Sequence, residues 1–176
     1  MVTITISGAP GSGTTTVAKI LEKKLGIKHI YSGDVFRNLA KKHNMSLAEF
    51  GTYCEHHREI DEELDAYQKN VLQSGKVILE GRIAGWIASK GNIPAFKVLL
   101  KADEKTRVER IIKREHGDFK EKKQEMLTRE RSEAKRYKEY YNIDVEDISI
   151  YDIVIDTTNK TPEEIGDIIN RTLQHK

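Results

Sequence analysis

The run Val2-Thr3-Ile4-Thr5-Ile6-Ser7-Gly8-Ala9-Pro10-Gly11-Ser12-Gly13-Thr14-Thr15-Thr16 decides the fold. Its first part alternates apolar and polar residues with β-branched side chains throughout, which is the period of a strand. From Thr14 the period changes. Val17, Ala18, Ile20, Leu21 and Leu25 recur at helical spacing until Gly26, which suits a left-handed cap just past a helix end. Between strand and helix, Gly8 and Gly13 stand five positions apart and the hydroxyl of Thr15 follows two places later, the spacing of a P-loop. Glycines let backbone N–H groups turn onto phosphate oxygens, and the helix behind adds unsatisfied N-terminal donors and the positive end of its dipole. Ser7, Gly8, Ala9, Pro10, Gly11, Ser12, Gly13, Thr14, Thr15 and Thr16 are read as the phosphate cradle, with the Thr15 hydroxyl placed for Mg²⁺. One position departs from the pattern. Thr14 stands where a lysine is expected to reach the terminal phosphates. A neutral hydrogen bond is worth ~1 kcal/mol against ~1.5–3 kcal/mol for a charged one, so positive charge must come from elsewhere in the chain.

Working outward, short apolar runs at His29-Ile30-Tyr31, Val77-Ile78-Leu79, 96–100 and 151–155 are further strands, separated by helical stretches. That alternation predicts a five-stranded parallel sheet in an α/β domain. Thr161 as cap, Pro162 at the first helical position and Glu164 completing a capping box start a last helix over 161–174. About 45 residues between the second and third strands exceed one crossover helix and read as a helical insertion, with a capping box at Ser46-Leu47-Ala48-Glu49. From Lys101 to Glu139, fourteen basic and ten acidic residues make a segment expected to be mostly solvated.

At 176 residues the chain is one domain, and 38% hydrophobic residues exclude a disordered polymer. A formal net charge of +2 offers no bulk attraction for nucleic acid. No apolar run approaches the ~18 residues of a membrane span, the N-terminus has no signal-peptide pattern, and a cytoplasmic location is expected. Cys54, the single cysteine, forms no internal disulfide and no thiolate zinc site. His43, His56 and His57 read as ordinary helix residues, and Trp86, Tyr137, Tyr140 and Tyr141 as packing residues.

The remaining candidates are anion and metal groups. Val77-Ile78-Leu79-Glu80 is a buried strand ending in a carboxylate, and Glu80 is the candidate to hold Mg²⁺ directly or through water. Gly81-Arg82 then presents a guanidinium at the carboxyl edge of the sheet, where open α/β folds bind ligands. Ser32-Gly33-Asp34-Val35-Phe36-Arg37 places an arginine one helical turn past a glycine, so that a helix start and Arg37 share one phosphate. Arg107, Arg110 and Arg114 fall on one helix face, and Arg129, Arg131 and Arg136 on a second helix.

Taken with Gly-Ser-Gly-Thr-Thr-Thr at 11–16, Glu-Gly-Arg-Ile-Ala-Gly-Trp at 80–86 and Arg-Glu-Arg-Ser-Glu-Ala-Lys-Arg-Tyr at 129–137, the chain resembles the nucleoside monophosphate kinases, and most closely the archaeal-type cytidylate kinases. The resemblance spans nearly the whole chain and implies a P-loop NTPase-type three-layer α/β/α fold, a monophosphate-binding insertion at 33–75 and an arginine-rich lid at 110–140. It implies that Arg37 and Arg82, with Ser32, Gly33 and Gly81, hold the acceptor monophosphate, and that Arg110 and Arg114, with Arg129 and Arg131, act on the transferring phosphate. Arg129, Glu133 and Arg136 look like the Arg-x-x-x-Asp-x-x-Arg element that binds the acceptor nucleotide, with Glu133 in place of aspartate. Cytosine offers an amino donor and two acceptors, so its reader needs a carboxylate and an arginine or amide, and Asp61 competes with Glu133 for the first role. The reaction implied is transfer of the ATP γ-phosphoryl group to CMP or dCMP with Mg²⁺, by a monomer that uses neither nucleic acid nor membrane. Another small-acceptor kinase, adenylate- or shikimate-kinase-like, and a non-catalytic ATP-binding module are the alternatives.

Overall fold

The computed structural model describes residues 2–175. Five strands, β1 (Ile4–Gly8), β2 (Lys28–Tyr31), β3 (Val77–Glu80), β4 (Phe96–Lys101) and β5 (Ile153–Asp156), form one parallel sheet in the order β2-β3-β1-β4-β5. The register pairs Ile6 and Tyr31 with Glu80, Gly8 with Leu100, and Lys101 with Asp156, so the carboxyl ends of all five strands share one edge. Strand order reverses at β1, and the crevice this opens above the carboxyl edge is where an α/β sheet takes its ligand.

Helices α1 (Thr14–Leu25) and α8 (Pro162–Gln174) cover one face. Val17, Leu21, Ile165 and Ile169 pack there on Ile4, Ile6, Ile78 and Leu100, and full burial of each such side chain contributes about 1.5–3 kcal/mol. Helices α4 (Arg58–Gln73) and α5 (Ala84–Lys90) cover the other, with Leu72, Ala84 and Ala88 against Leu79. The adjacent residues Ile78 and Leu79 thus serve opposite layers, as the period of a strand requires. Both capping boxes form, at Ser46/Glu49 and Thr161/Glu164.

The insertion between β2 and β3 is three helices: α2 (Ser32–Lys42), α3 (Leu47–Cys54) and α4. Phe36, Ala40, Phe50 and Cys54 give it a small core of its own, and burial pushes the Cys54 thiol up to about 12, which leaves it inert. The charged stretch after β4 folds as a hairpin of α6 (Glu104–Glu115) and α7 (Phe119–Tyr141).

Most of this segment is exposed or half-buried, as expected, but one face of it is not. Val108, Ile111 and Met126 pack between the two helices, and Ser132, Glu133, Arg136 and Tyr137 are buried along α7. Charges tolerate burial when paired, and α7 is stapled to α3. Arg136 Nη1 donates to Gly51 O at 3.0 Å, Lys135 pairs with Glu55 at 2.6 Å, and the Tyr140 hydroxyl meets the carbonyls of Cys54 and Glu55 at 2.9 and 2.8 Å.

Candidate active site

Glu80, the last residue of β3, is 2% exposed and anchors the start of α1. Its Oε1 accepts from the hydroxyls of both Thr14 and Thr15 at 2.7 Å, while Oε2 lies 2.9 Å from His29 Nε2 on the neighbouring strand. Thr14 therefore points down to the sheet, and its side chain ties the loop to β3 in place of reaching forward to a phosphate. Gly13 just before it takes φ 89° as the cap of α1, a conformation that strains any residue with a Cβ. The oxygen donors suit a hard cation. Thr15 lines the cavity described next, with Glu80 behind its hydroxyl, and among the described residues no group of three or more His, Cys, Asp and Glu could hold a metal alone. Such a site fits Mg²⁺, which is held largely by substrate phosphates and water.

Above the loop lies a cavity of about 330 Å³. Pro10 to Thr16 form its floor. Seven cationic side chains among the described residues line it: Arg37, Arg82, Arg110, Lys113, Arg114, Arg129 and Lys160, and no carboxylate does. Arg110 donates to Gly11 O at 3.3 Å and to Thr157 Oγ1 and O at 2.9 and 2.8 Å, whereas Arg114 is half exposed and, among the described residues, pairs only with the adjacent Glu115. Lys113 lies on the same helix beside the two arginines and is a cation that the arginine stripe conceals. Lys160 and Thr157 come from the loop after β5, which carries no sequence signal.

A second cavity adjoins the first through Arg82 and Arg129 and is lined by Tyr31, Ser32, Gly33, Phe36, Asp61, Leu64, Asp65, Gln68, Gly81, Glu133, Arg136 and Tyr137. Here two guanidinium groups share one carboxylate. Arg82 Nε is 3.1 Å from Glu133 Oε2, and Arg129 Nε is 3.0 Å from Glu133 Oε1. Burial works against the Glu133 carboxylate, but Arg82 and Arg129 outweigh it and hold its carboxyl below the usual range. Burial and the neighbouring Arg82 both push the Arg129 guanidinium down. One carboxylate cannot compensate two guanidinium groups, and the excess charge favours an added anion.

Deeper in, Arg136 Nε and Asp61 Oδ2 lie 2.8 Å apart, both buried, in an ion pair that lacks hydrogen-bond alignment. Gln68 Oε1 is also buried without a hydrogen-bond partner, and the Gln68 amide donates to Asp65 at 3.1 Å.

Burial raises the Asp65 carboxyl to about 7, with the nearby Asp61 adding to the effect. Above pH 7 Asp65 is charged whether the chain is folded or not, and burying that charge destabilises the fold. As pH falls from 7 toward 4, the folded protein takes up the proton before the unfolded chain does, and the penalty disappears. Asp65→Asn is therefore expected to stabilise the protein by about 1–2 kcal/mol at pH 8 and by little at pH 4.5, read by chemical denaturation at both values. Equal effects at the two pH values would contradict the assignment.

Four residues expected at the site lie elsewhere. Ser7 is fully buried and its hydroxyl accepts from Gly85 N at 3.1 Å, so it braces α5 beneath the loop. Gly8 and Ala9 face a groove on the outer side of the loop, away from the cationic cavity. Arg131 opens onto that same groove, exposed, with Nε on Leu127 O at 3.3 Å. His29, Lys113, Thr157, Lys160, Gln68 and Asp65 are the residues the sequence reading missed.

A parallel sheet of order 2-3-1-4-5, a P-loop after its central strand and a lid-like helical hairpin rich in arginine define the class of P-loop kinases. The chain belongs to the cytidylate kinase-like family, whose profile matches residues 3–159. It is similar to curated cytidylate kinases of Methanococcus maripaludis and Methanocaldococcus jannaschii, each 46% identical over 173 residues, 98% of this chain and 97% of the relative. The cytidylate kinase of Pyrococcus horikoshii is 41% identical over 172 residues, covering 98% of this chain and 88% of that one. Among solved structures, an uncharacterized protein from Eubacterium ventriosum shares the fold at TM-score 0.73 and 19% identity, with full coverage of both chains. A shikimate kinase from Acinetobacter baumannii, in complex with shikimate, does so at 0.60 and 14%, covering 99% of this chain and 94% of that one. Among the described residues no helix is long and apolar enough to cross a membrane.

Proposed function

We propose that the protein transfers the γ-phosphoryl group of ATP to CMP or dCMP. The observation that carries this reading is the cavity above the loop, where seven cations and no carboxylate surround a cradle of backbone amides. Both substrates bring negative charge, and the acceptor is an already ionised phosphate oxygen, so no general base is needed. The protein aligns the two anions and neutralises the charge between them. Arg37 and Arg82 hold the acceptor phosphate, and Arg110 and Arg114 close on the transferring group. Arg129 sits between the two cavities, where it meets the phosphate of the acceptor. Thr15, with Glu80 behind its hydroxyl, would hold Mg²⁺ brought in with the donor phosphates, and the ion would supply neutralising charge there.

The second cavity reads the base. Glu133 is engaged by two arginines and acts as their anchor. The buried acceptor left without any partner for the cytosine amino group is Gln68 Oε1, and the Asp61–Arg136 ion pair, unaligned for a hydrogen bond, adds a second acceptor and a donor for cytosine N3 and O2. Uracil reverses the donor at position 4 and leaves those acceptors unpaired, a mismatch that costs more than a missing contact. Gln68→Leu is expected to lower kcat/KM for CMP by about ten- to a hundredfold with the KM for ATP unchanged. A parallel loss for both substrates would contradict the base-reading role.

The test of the function is a coupled assay of ADP release with Mg·ATP and each nucleoside monophosphate, plus shikimate. The expected result is turnover with CMP and dCMP far above ATP hydrolysis alone. Preference for AMP or shikimate would move the protein to another acceptor class, and no turnover with any acceptor would make it a binding module.

A further inference from the structure

The carbonyl groups of the P-loop are all turned to partners. Ala9 O accepts from Ser12 N at 3.1 Å and Gly13 O from Val17 N at 3.2 Å. Side chains from outside the loop take the rest. Arg82 Nη1 donates to Gly8 O at 3.0 Å, Arg107 Nη1 to Pro10 O at 3.3 Å, Arg110 Nη1 to Gly11 O at 3.3 Å and Thr157 Oγ1 to Ser12 O at 3.0 Å. A peptide unit is planar and trans, so a carbonyl fixed on one side sends the next N–H to the other. Holding the Pro10 and Ser12 carbonyls in this way turns the N–H groups of Gly11 and Gly13 toward the cradle.

Arg107 differs from the other two arginines in where it stands. Arg82 and Arg110 line the cationic cavity, whereas Arg107 does not and lines instead a groove of about 360 Å³ that shares only Pro10, Ser12 and Arg82 with it. Its side chain is nevertheless only 12% exposed, and it pairs with Glu130 of α7. The backbone beneath it presses on the loop as well. Gly11 has φ 82°, and a Cβ there would come within 2.5 Å of Arg107 O, so α6 stands directly on the loop.

We infer that Arg107, held by Glu130, is a positioning residue that sets the Pro10–Gly11 peptide for phosphate binding and so couples the α6–α7 hairpin to the cradle without touching substrate. The inference rests on the reading of the cradle as the ATP site. It concerns a loop that lacks the usual lysine, where amide orientation carries more of the binding.

The test compares wild type with Arg107→Gln by equilibrium titration of ATP and, separately, of CMP, and by ¹⁵N NMR of the ligand-free proteins. Arg107→Gln is expected to weaken ATP binding by about ten- to a hundredfold, the loss of one charge-assisted hydrogen bond, with CMP binding unchanged. The Gly11 and Gly13 amide resonances should shift while those of α8 stay in place. Unchanged ATP affinity, or equal weakening for ATP and CMP, would overturn the role. Should Arg107→Gln fail to fold, Arg107→Lys, which keeps the charge facing Glu130 but loses the planar fork, is read in the same way. If wild type itself fails to bind ATP, the nucleotide reading falls, and the loop resonances still decide whether Arg107 positions the peptide.

Discussion

Arg114→Ala is expected to lower kcat for CMP by about a hundred- to a thousandfold while the dissociation constant for CMP changes less than threefold. Arg114 has no structural duty that would blur the result. Its guanidinium is 54% exposed and, among the described residues, bonded only to the adjacent Glu115, yet it lines the cavity above the loop. A side chain in that position binds neither substrate strongly in the ground state and becomes useful when charge spreads onto the transferring group, which is the signature of an interaction made in the transition state. Melting temperature should stay within about 2 °C of wild type, because a surface substitution away from buried partners changes stability by about 0.5 kcal/mol or less. A loss confined to CMP binding, with kcat preserved, would remove Arg114 from the chemical step.

Glu80→Gln should affect folding and activity together. The Glu80 carboxylate accepts from Thr14, Thr15 and His29 at once, all in buried or half-buried surroundings. Glutamine offers one acceptor and one donor group in the same space, so at least one of these partners is left facing an N–H. An unsatisfied buried group costs about 1–3 kcal/mol, and that is the stability loss expected in urea denaturation. With Thr14 and Thr15 released, the start of α1 loosens and the Thr15 hydroxyl loses its orientation. Activity should fall by about a hundredfold, partly recovered at high Mg²⁺. Wild-type stability with an unaltered Mg²⁺ requirement would show that Glu80 is neither anchor nor metal support.

The parts of this architecture that sequence makes legible are those with local causes. Alternation in 2–7, the glycine spacing of the loop, the helical period from Thr14 and the Thr161-Pro162-Glu164 start signal all lie within a few residues of what they specify, and strands and helices fall where those patterns put them. Arg82 is visible because it stands two residues past the end of β3, and Arg37 because it lies one helical turn past Gly33 at the start of α2. His29 is not. Its meaning depends on β2 lying beside β3, which brings its ring to a carboxylate 51 positions away. Gln68 and Thr157 are hidden for the same reason.

The two misplaced polar residues follow from simple periods. Ser7 points to the sheet face opposite that of Ile6, and so meets α5 rather than α1. Arg131 sits two positions after Arg129, about 200° around α7, which turns it away from the face that carries Arg129, Glu133 and Arg136. The charge-rich segment is mostly solvated as its density implies, but density does not say which of its charges find buried partners. Arg136 is 1% exposed, and it is buried through Asp61, Gly51 and Ser132, which no composition reveals.

In the proposed reaction, oriented backbone amides and guanidinium groups around the cavity replace the lysine that Thr14 displaces. The most direct test of that replacement is a crystal structure with ADP, CMP and a planar metal-fluoride mimic of the transferring phosphoryl group. The expected result is the Arg114 guanidinium released from Glu115 and within about 2.7–3.2 Å of the mimic, beside Arg110, with the Gly11 and Gly13 amides on the donor phosphates. Guanidinium groups left in bulk solvent, with the nucleotide tail outside the cradle, would contradict it.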